Sequence, residues 1–174
     1  MRPWLRWTLL GIAGAALVHV ATVRLLSRIV MGIATAGMAR VAGFNAAVYP
    51  PRADATSRAI VRPSPDLLYA GCAFDVRQHP LHIRAEVPRD TYWSLSMFAA
   101  NTDNFFVLND KGVGGKKTAR VIFTREGGYK DPQGGDVVQV PSDKGIIIFR
   151  LLVLDRENVA ALRKIQQAAK CEPL

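Results

Sequence analysis

The chain has 174 residues and a formal charge of +9, set by 23 Lys and Arg against 14 Asp and Glu. That excess is concentrated: residues 1–53 hold six arginines and no acid, so the remainder carries seventeen basic against fourteen acidic groups, or +3. A body so mildly basic, with no Lys/Arg stripe interleaved with aromatics, lacks the footprint that a phosphate backbone requires, and nucleic acid is excluded as a partner.

Between Arg6 and Arg24 there is no formal charge. The segment Trp7 to Val23, with Leu9, Leu10, Ile12, Leu17, Val18 and Val20, reaches about 26 Å as a helix, close to a bilayer core of ~30 Å. It predicts a single-pass membrane anchor over 1–28, with Trp4 and Trp7 at one interface and Arg24 and Arg28 snorkelling at the other. The short arginine-bearing start resembles a signal-anchor, which puts the N-terminus in the cytoplasm and the rest of the chain in the periplasm of a bacterial inner membrane. Two alternatives stay open. A cleaved signal peptide has a shorter apolar region ending in small residues, whereas Ala34-Thr35-Ala36 comes after two arginines. A second, shallower helix over Ile29 to Ala39 has Leu25, Leu26, Ile29, Ile33 and Met38 on one face, so 29–54 reads as an amphipathic linker.

Pro50-Pro51 removes two backbone donors and forces an extended path, placing a boundary before a domain at 55–174. That leaves about 120 residues, enough for one core. Seven short runs rich in β-branched and aromatic residues follow: Leu67 to Val76, Leu81 to Val87, Tyr92 to Ala100, Asn104 to Leu108, Thr118 to Thr124, Val137 to Val140 and Ile146 to Leu154. Turn signals such as Gln78-His79-Pro80, Gly127-Gly128 and Gly134-Gly135 separate them. The fold class is therefore mainly β, an antiparallel sandwich or jelly-roll-like domain. Asp155 reads as the N-cap of a closing helix over 156–170, whose Val159, Leu162, Ile165 and Ala169 would lie on one sheet.

Candidate chemistry is sparse. His79, His82 and Glu86 supply potential ligands near one another, but Pro80 bends the chain between the histidines, and no metal site is expected. Gly112-Val113-Gly114-Gly115-Lys116-Lys117-Thr118 superficially resembles a phosphate loop, yet Lys116 stands where the second glycine belongs and a strand follows. It reads as a hairpin, with anionic headgroup binding by Lys111, Lys116 and Lys117 as the alternative. Cys72 and Cys171 either bridge, closing a loop of ~100 residues in an oxidising compartment, or remain two thiols. No nucleophile elbow, zinc-protease motif or dinucleotide glycine run occurs, and no cofactor is expected.

The densest polar and aromatic stretch is Asp90, Tyr92, Trp93, Asn101, Asp103, Asn104, Phe105 and Phe106. A strand, a tight Asn-Thr-Asp-Asn turn and a second strand would set amide and carboxylate groups on one rim. Asp66 and Tyr69, with Asp90, Tyr92, Asn101, Asp103 and Asn104, form the expected ligand or partner rim. A hairpin held by Asx hydrogen bonds, with its aromatics in the core, is the plainer reading of the same residues.

Ile60-Val61-Arg62-Pro63-Ser64-Pro65-Asp66-Leu67-Leu68-Tyr69, then Ala73-Phe74-Asp75-Val76, Tyr92-Trp93-Ser94-Leu95-Ser96-Met97 and Ala100-Asn101-Thr102-Asp103-Asn104-Phe105-Phe106-Val107 resemble the bacterial family called domain of unknown function 1254. Arg150-Leu151-Leu152-Val153 and the helix after it extend the likeness over residues 55 to 170. Where the family commonly has Asn-x-Asp-Thr-Leu-Tyr, this chain keeps Asp66, Leu68 and Tyr69 but lacks the Asn and Thr. The resemblance implies a β-rich, often exported or membrane-anchored domain with no established chemistry. It also implies, as a partner, a separately encoded companion of the 1214 family, to which longer members are fused. Two functions are thus expected to compete: a membrane-tethered binding or assembly module, and a small envelope enzyme using general acid/base chemistry. For the second, the candidates are Asp66, Tyr69, His82, Asp90 and Asp103, which would have to converge in one cleft.

Overall fold

Pro3 opens the first helix at a position where its missing N–H costs nothing, and in the computed structural model, which describes residues 2–58, 62–112 and 114–174, that helix runs unbroken to Ala42 (α1, Pro3–Ala42). Its most apolar eighteen-residue stretch has a mean hydropathy of 1.9 and none of it is buried, so α1 is long and apolar enough to be a membrane span or a signal sequence. No break occurs near residue 28. The segments expected as anchor and shallow second helix share one rod, about 60 Å long.

The last four turns of α1 are docked rather than free. Met31, Thr35 and Met38 face the domain, while Leu25, Leu26, Ile29 and Ile33 stay exposed on the opposite side. Met38 therefore leaves the stripe to which the periodicity assigned it. The helix stops at Gly43, which takes a positive φ of 88° that an L side chain rarely adopts. Asn45, also left-handed at φ 59°, then uses its side chain as a strand would: Nδ2 donates to the Asp75 carbonyl and Oδ1 accepts the Asp75 N–H, both at 2.8 Å.

Among the described residues nine strands follow: β1 (Ala47–Val48), β2 (Leu67–Asp75), β3 (Leu81–Glu86), β4 (Trp93–Ala99), β5 (Asn104–Asn109), β6 (Thr118–Thr124), β7 (Asp136–Gln139), β8 (Lys144–Leu152) and β9 (Lys170–Pro173). They form two sheets, β1-β2-β8-β4-β5 and β7-β6-β3-β9. All seven expected strands are present, within two residues at each end. The expected antiparallel sandwich is observed, with one exception in which β7 runs parallel to β6. That pairing requires a crossover, supplied by residues 125–135. Two strands escaped sequence reading. β1 has only two residues and belongs to the segment read as linker, and β9 falls in a tail of Lys, Cys, Glu and Pro with no alternation.

The core follows the period of two. Leu68, Ala70, Cys72 and Phe74 of β2, Trp93, Leu95 and Met97 of β4, and Ile147, Phe149 and Leu151 of β8 meet Leu81, Ile83 and Ala85 of β3 and Ala119, Val121 and Phe123 of β6. Cys72 and Cys171 close a disulfide from one sheet to the other, between Cα atoms 6.4 Å apart, which settles the alternative left open by sequence. The closing helix is shorter than expected (α2, Val159–Ala168) and is preceded by a 3-10 turn at Arg156–Asn158. Asp155 does not cap it; the Asp155 carbonyl accepts the Asn158 N–H at 3.2 Å instead. Nor does α2 lie on one sheet, since it packs against β2 and β8 of one and β3 of the other. Its buried Gln166 donates to the carbonyls of Pro50 (3.1 Å) and Tyr69 (2.6 Å), where the chain peels away after β1. Ile60 and Val61 of the family-like stretch, and Val113 of the glycine-rich turn, lie outside the described residues.

Candidate functional site

The expected rim divides between the two ends of the sandwich. β2 and β4 run in the same direction, each antiparallel to β8, so Asp66 and Tyr69 share an end with Asp90 and Tyr92. Asn101 and Asp103 lie in the turn at the far end of β4, with Asn104 paired beside Phe98, about 20 Å away along the strand. At the first end, the carboxylate of Asp66 is 70 % exposed and 3.9 Å from Arg52. Tyr69 Oη accepts the Ser64 N–H at 2.9 Å, Asp90 is exposed, and Tyr92 is half-exposed with its carbonyl bonded to the Leu152 N–H. His82 is on the outer face of the other sheet, buried between Ile122 and Glu172. Asp66, Tyr69, His82, Asp90 and Asp103 do not converge, and none of them is hydrogen-bonded to another. Of the other aromatics in that stretch, Trp93 is core and packs on Phe149 at 6.2 Å, and the partly buried Phe105 meets Phe74 and Phe123 edge-on, each at 6.5 Å.

What the structure does assemble is a cleft of about 590 Å³ where α1 passes the β4–β5 turn. Its walls are Asn101, Asp103, Asn104 and Ser142, its floor is Ala99, Phe105 and Pro141, and Arg28 of α1 closes one side. The turn is made by the residues that line it. Thr102 takes a left-handed φ of 73°, the Ala99 N–H donates to the Asp103 carbonyl at 2.9 Å, and Asn101 Nδ2 donates to Asp103 Oδ2 at 2.5 Å. Ser142 accepts the Ala100 N–H at 2.9 Å and donates to the Lys144 carbonyl at 2.8 Å, tying the β7–β8 loop to the turn. Arg28 has no acidic group within 4.0 Å among the described residues. Three of the seven expected rim residues thus share a cleft, and Arg28 and Ser142 join them. The signal for Arg28 was a charge inside an apolar helix; nothing in the sequence brought Ser142 to the turn.

A second cleft of about 550 Å³ lies over the other sheet, lined by Arg84, Lys116, Lys117, Arg120, Gly135 and Asp136. Register sets Arg120, Arg84 and Lys170 side by side across three strands, an arrangement of like charges that needs compensation. The crossover supplies it: Asp131 accepts from Arg120 Nε at 2.6 Å and from the N–H groups of Gln133 and Gly135. These donors, Arg120 foremost, hold the Asp131 carboxyl down at about 2. A Cβ on Gly135 would lie 2.5 Å from that carboxylate, so the pair depends on a glycine there. His82, one row away, has its pKa lowered, chiefly by burial and then by Arg120. Among the described residues, no three His, Cys, Asp or Glu side chains are grouped so as to hold a metal ion.

Comparison with solved structures shows the fold to be shared. A crystal structure of a protein from Vibrio parahaemolyticus matches with a TM-score of 0.68 at 14 % identity, over 88 % of this chain and 37 % of its own. One of an uncharacterised protein from Burkholderia cenocepacia matches with a TM-score of 0.53 at 18 % identity, over 91 % of this chain and 42 % of its own. The chain therefore spans about two fifths of the length of either. No curated protein matches it. The family model described as protein of unknown function, DUF1254, matches residues 44–173, from just after α1 through β9, and the chain belongs to that family.

Proposed function

We propose that the protein is a binding or assembly module of the bacterial envelope, held in the inner membrane by the N-terminal half of α1 and presenting its β-sandwich to the periplasm. One observation carries the reading: the apolar rod continues without a linker into a helix docked on a sandwich that is closed by a buried disulfide. Such a bond persists in an oxidising compartment, on the far side of the membrane from a short arginine-bearing start. The cleft between Arg28 and the β4–β5 turn is the contact surface, because there stem and sandwich both supply polar groups to a concavity that also has an apolar lining. A companion of the 1214 family is proposed as the protein partner, in keeping with relatives whose chains run well beyond the shared fold.

Fusion of alkaline phosphatase or a fluorescent protein after Leu174 tests the topology. The phosphatase fusion should be active and the fluorescent one dark, with the intact N-terminus found in the carbonate-washed membrane fraction. A soluble mature chain lacking α1, or the opposite reporter pattern, overturns the anchor. Purification in mild detergent should return a stoichiometric companion.

A further inference from the structure

The cleft at Arg28 has a position as well as a chemistry. On the anchor reading of α1, on which this inference rests, the uncharged run ends at Val23 and Arg28 follows about 7.5 Å further along the axis. That is the depth of the headgroup layer, which adds roughly 5–7 Å to each side of the hydrocarbon core. The lining matches what is found at that depth. Arg28 offers a guanidinium with no acidic partner among the described residues, Asp103 offers a carboxylate to a hydroxyl or ammonium donor, Asn104 is exposed beside it, and Phe105 and Pro141 form an apolar floor. N-terminal to Arg28, the exposed Leu17, Val18, Val20 and Val23 of the uncharged run present the apolar surface along which acyl chains lie.

We propose that this cleft seats the head of an anionic membrane amphiphile, with a phosphate on Arg28 and head hydroxyls on Asp103 and Asn104, the acyl chains remaining in the bilayer along α1. A phosphoglycerol head satisfies both requirements. A free phosphate ester offers the same groups, so the test separates the two sources.

Full-length protein carrying Thr102→Cys at the tip of the turn, labelled with a fluorophore after the native disulfide has closed, is reconstituted into phosphatidylcholine vesicles. These contain a minor fraction of phosphatidylglycerol or of phosphatidylcholine, each nitroxide-labelled in the head. Flotation of the same sample is read first, and a chain that stays at the bottom of the gradient refutes the anchor and this proposal together. In floated vesicles the anionic quencher should be enriched at the label about fivefold over the zwitterionic one, the preference one arginine gives at an anionic surface. Arg28→Gln should abolish that preference, while Arg24→Gln, which removes an equal charge one turn away and outside the cleft, should keep it. Equal quenching by both lipids, or equal loss in the two variants, overturns the site while leaving the anchor standing. Displacement of the labelled lipid by excess soluble glycerol phosphate at matched ionic strength overturns the membrane source.

Discussion

Asn45 shows how much one side chain carries in this fold. Its amide replaces a missing strand residue with two hydrogen bonds to Asp75, at the point where α1 turns into β1. Asn45→Ala leaves both partners without them, and at about 1 kcal/mol per bond the loss is about 2 kcal/mol in urea denaturation, with a fall in midpoint and no change in slope. His82 makes the opposite point. Its Nε2 has no hydrogen-bond partner among the described residues, and its pKa lies below the ordinary value, because burial and then Arg120 disfavour the charged ring, with Arg84 adding to this and Glu172 and Asp131 opposing it. The unfolded chain therefore takes up the proton first as pH falls. Stability should decline as pH is lowered through about 6.5, and His82→Leu should flatten that limb in thermal melts across pH 5 to 8. Asp131 acts lower down: its depressed pKa contributes stability that is present above about 4 and lost toward about 2.

Among the elements, β9 depends most on contacts remote in sequence. Four residues paired antiparallel to β3 hold it, along with the bridge from Cys171 to Cys72, 99 positions away. Replacing both cysteines with Ala should cost up to about 4.7 kcal/mol in the chain-entropy account, and amide exchange should show Lys170–Pro173 losing protection before β3 does. Elements whose own residues alternate were legible: β6 was read end to end because Ala119, Val121 and Phe123 point inward while Arg120 and Ile122 point out. β1 and β9 were not, since two residues have no period and Lys-Cys-Glu-Pro reads as a tail. Each is a strand only because a neighbour's edge pairs with it. The same reason governs the site. Asn101, Asp103 and Asn104 were readable because a turn needs such residues, whereas Asp66 and Tyr92 looked equivalent and fell at the other end, since hairpin direction is a property of the sheet.

For the whole molecule, the stem and the sandwich are one structural unit. α1 packs on β2 and β8 with Met31 and Thr35 buried, outer-face Ala73 and Ile146 are buried too, and Gly71 has no Cβ where the Met38 thioether methyl lies. Deleting residues 2–22 should leave a disulfide-closed domain with its melting temperature unchanged. Deleting residues 2–43 should uncover that face and lower stability by about 3 kcal/mol or more, roughly the burial of two methionines, with dye binding to the bared surface as the check.

A rod clamped along its last four turns also dictates how the sandwich can move. There is no swivel between the apolar half of α1 and the strands, so the body cannot sweep through a volume the way a domain on a flexible leash does. With α1 as the proposed anchor, its reach would be a single height and a single tilt, and whatever it meets would have to arrive by sideways diffusion. Inserting a few glycines after Arg24 would turn this fixed post into a roaming one, with the fold intact and the encounter geometry gone.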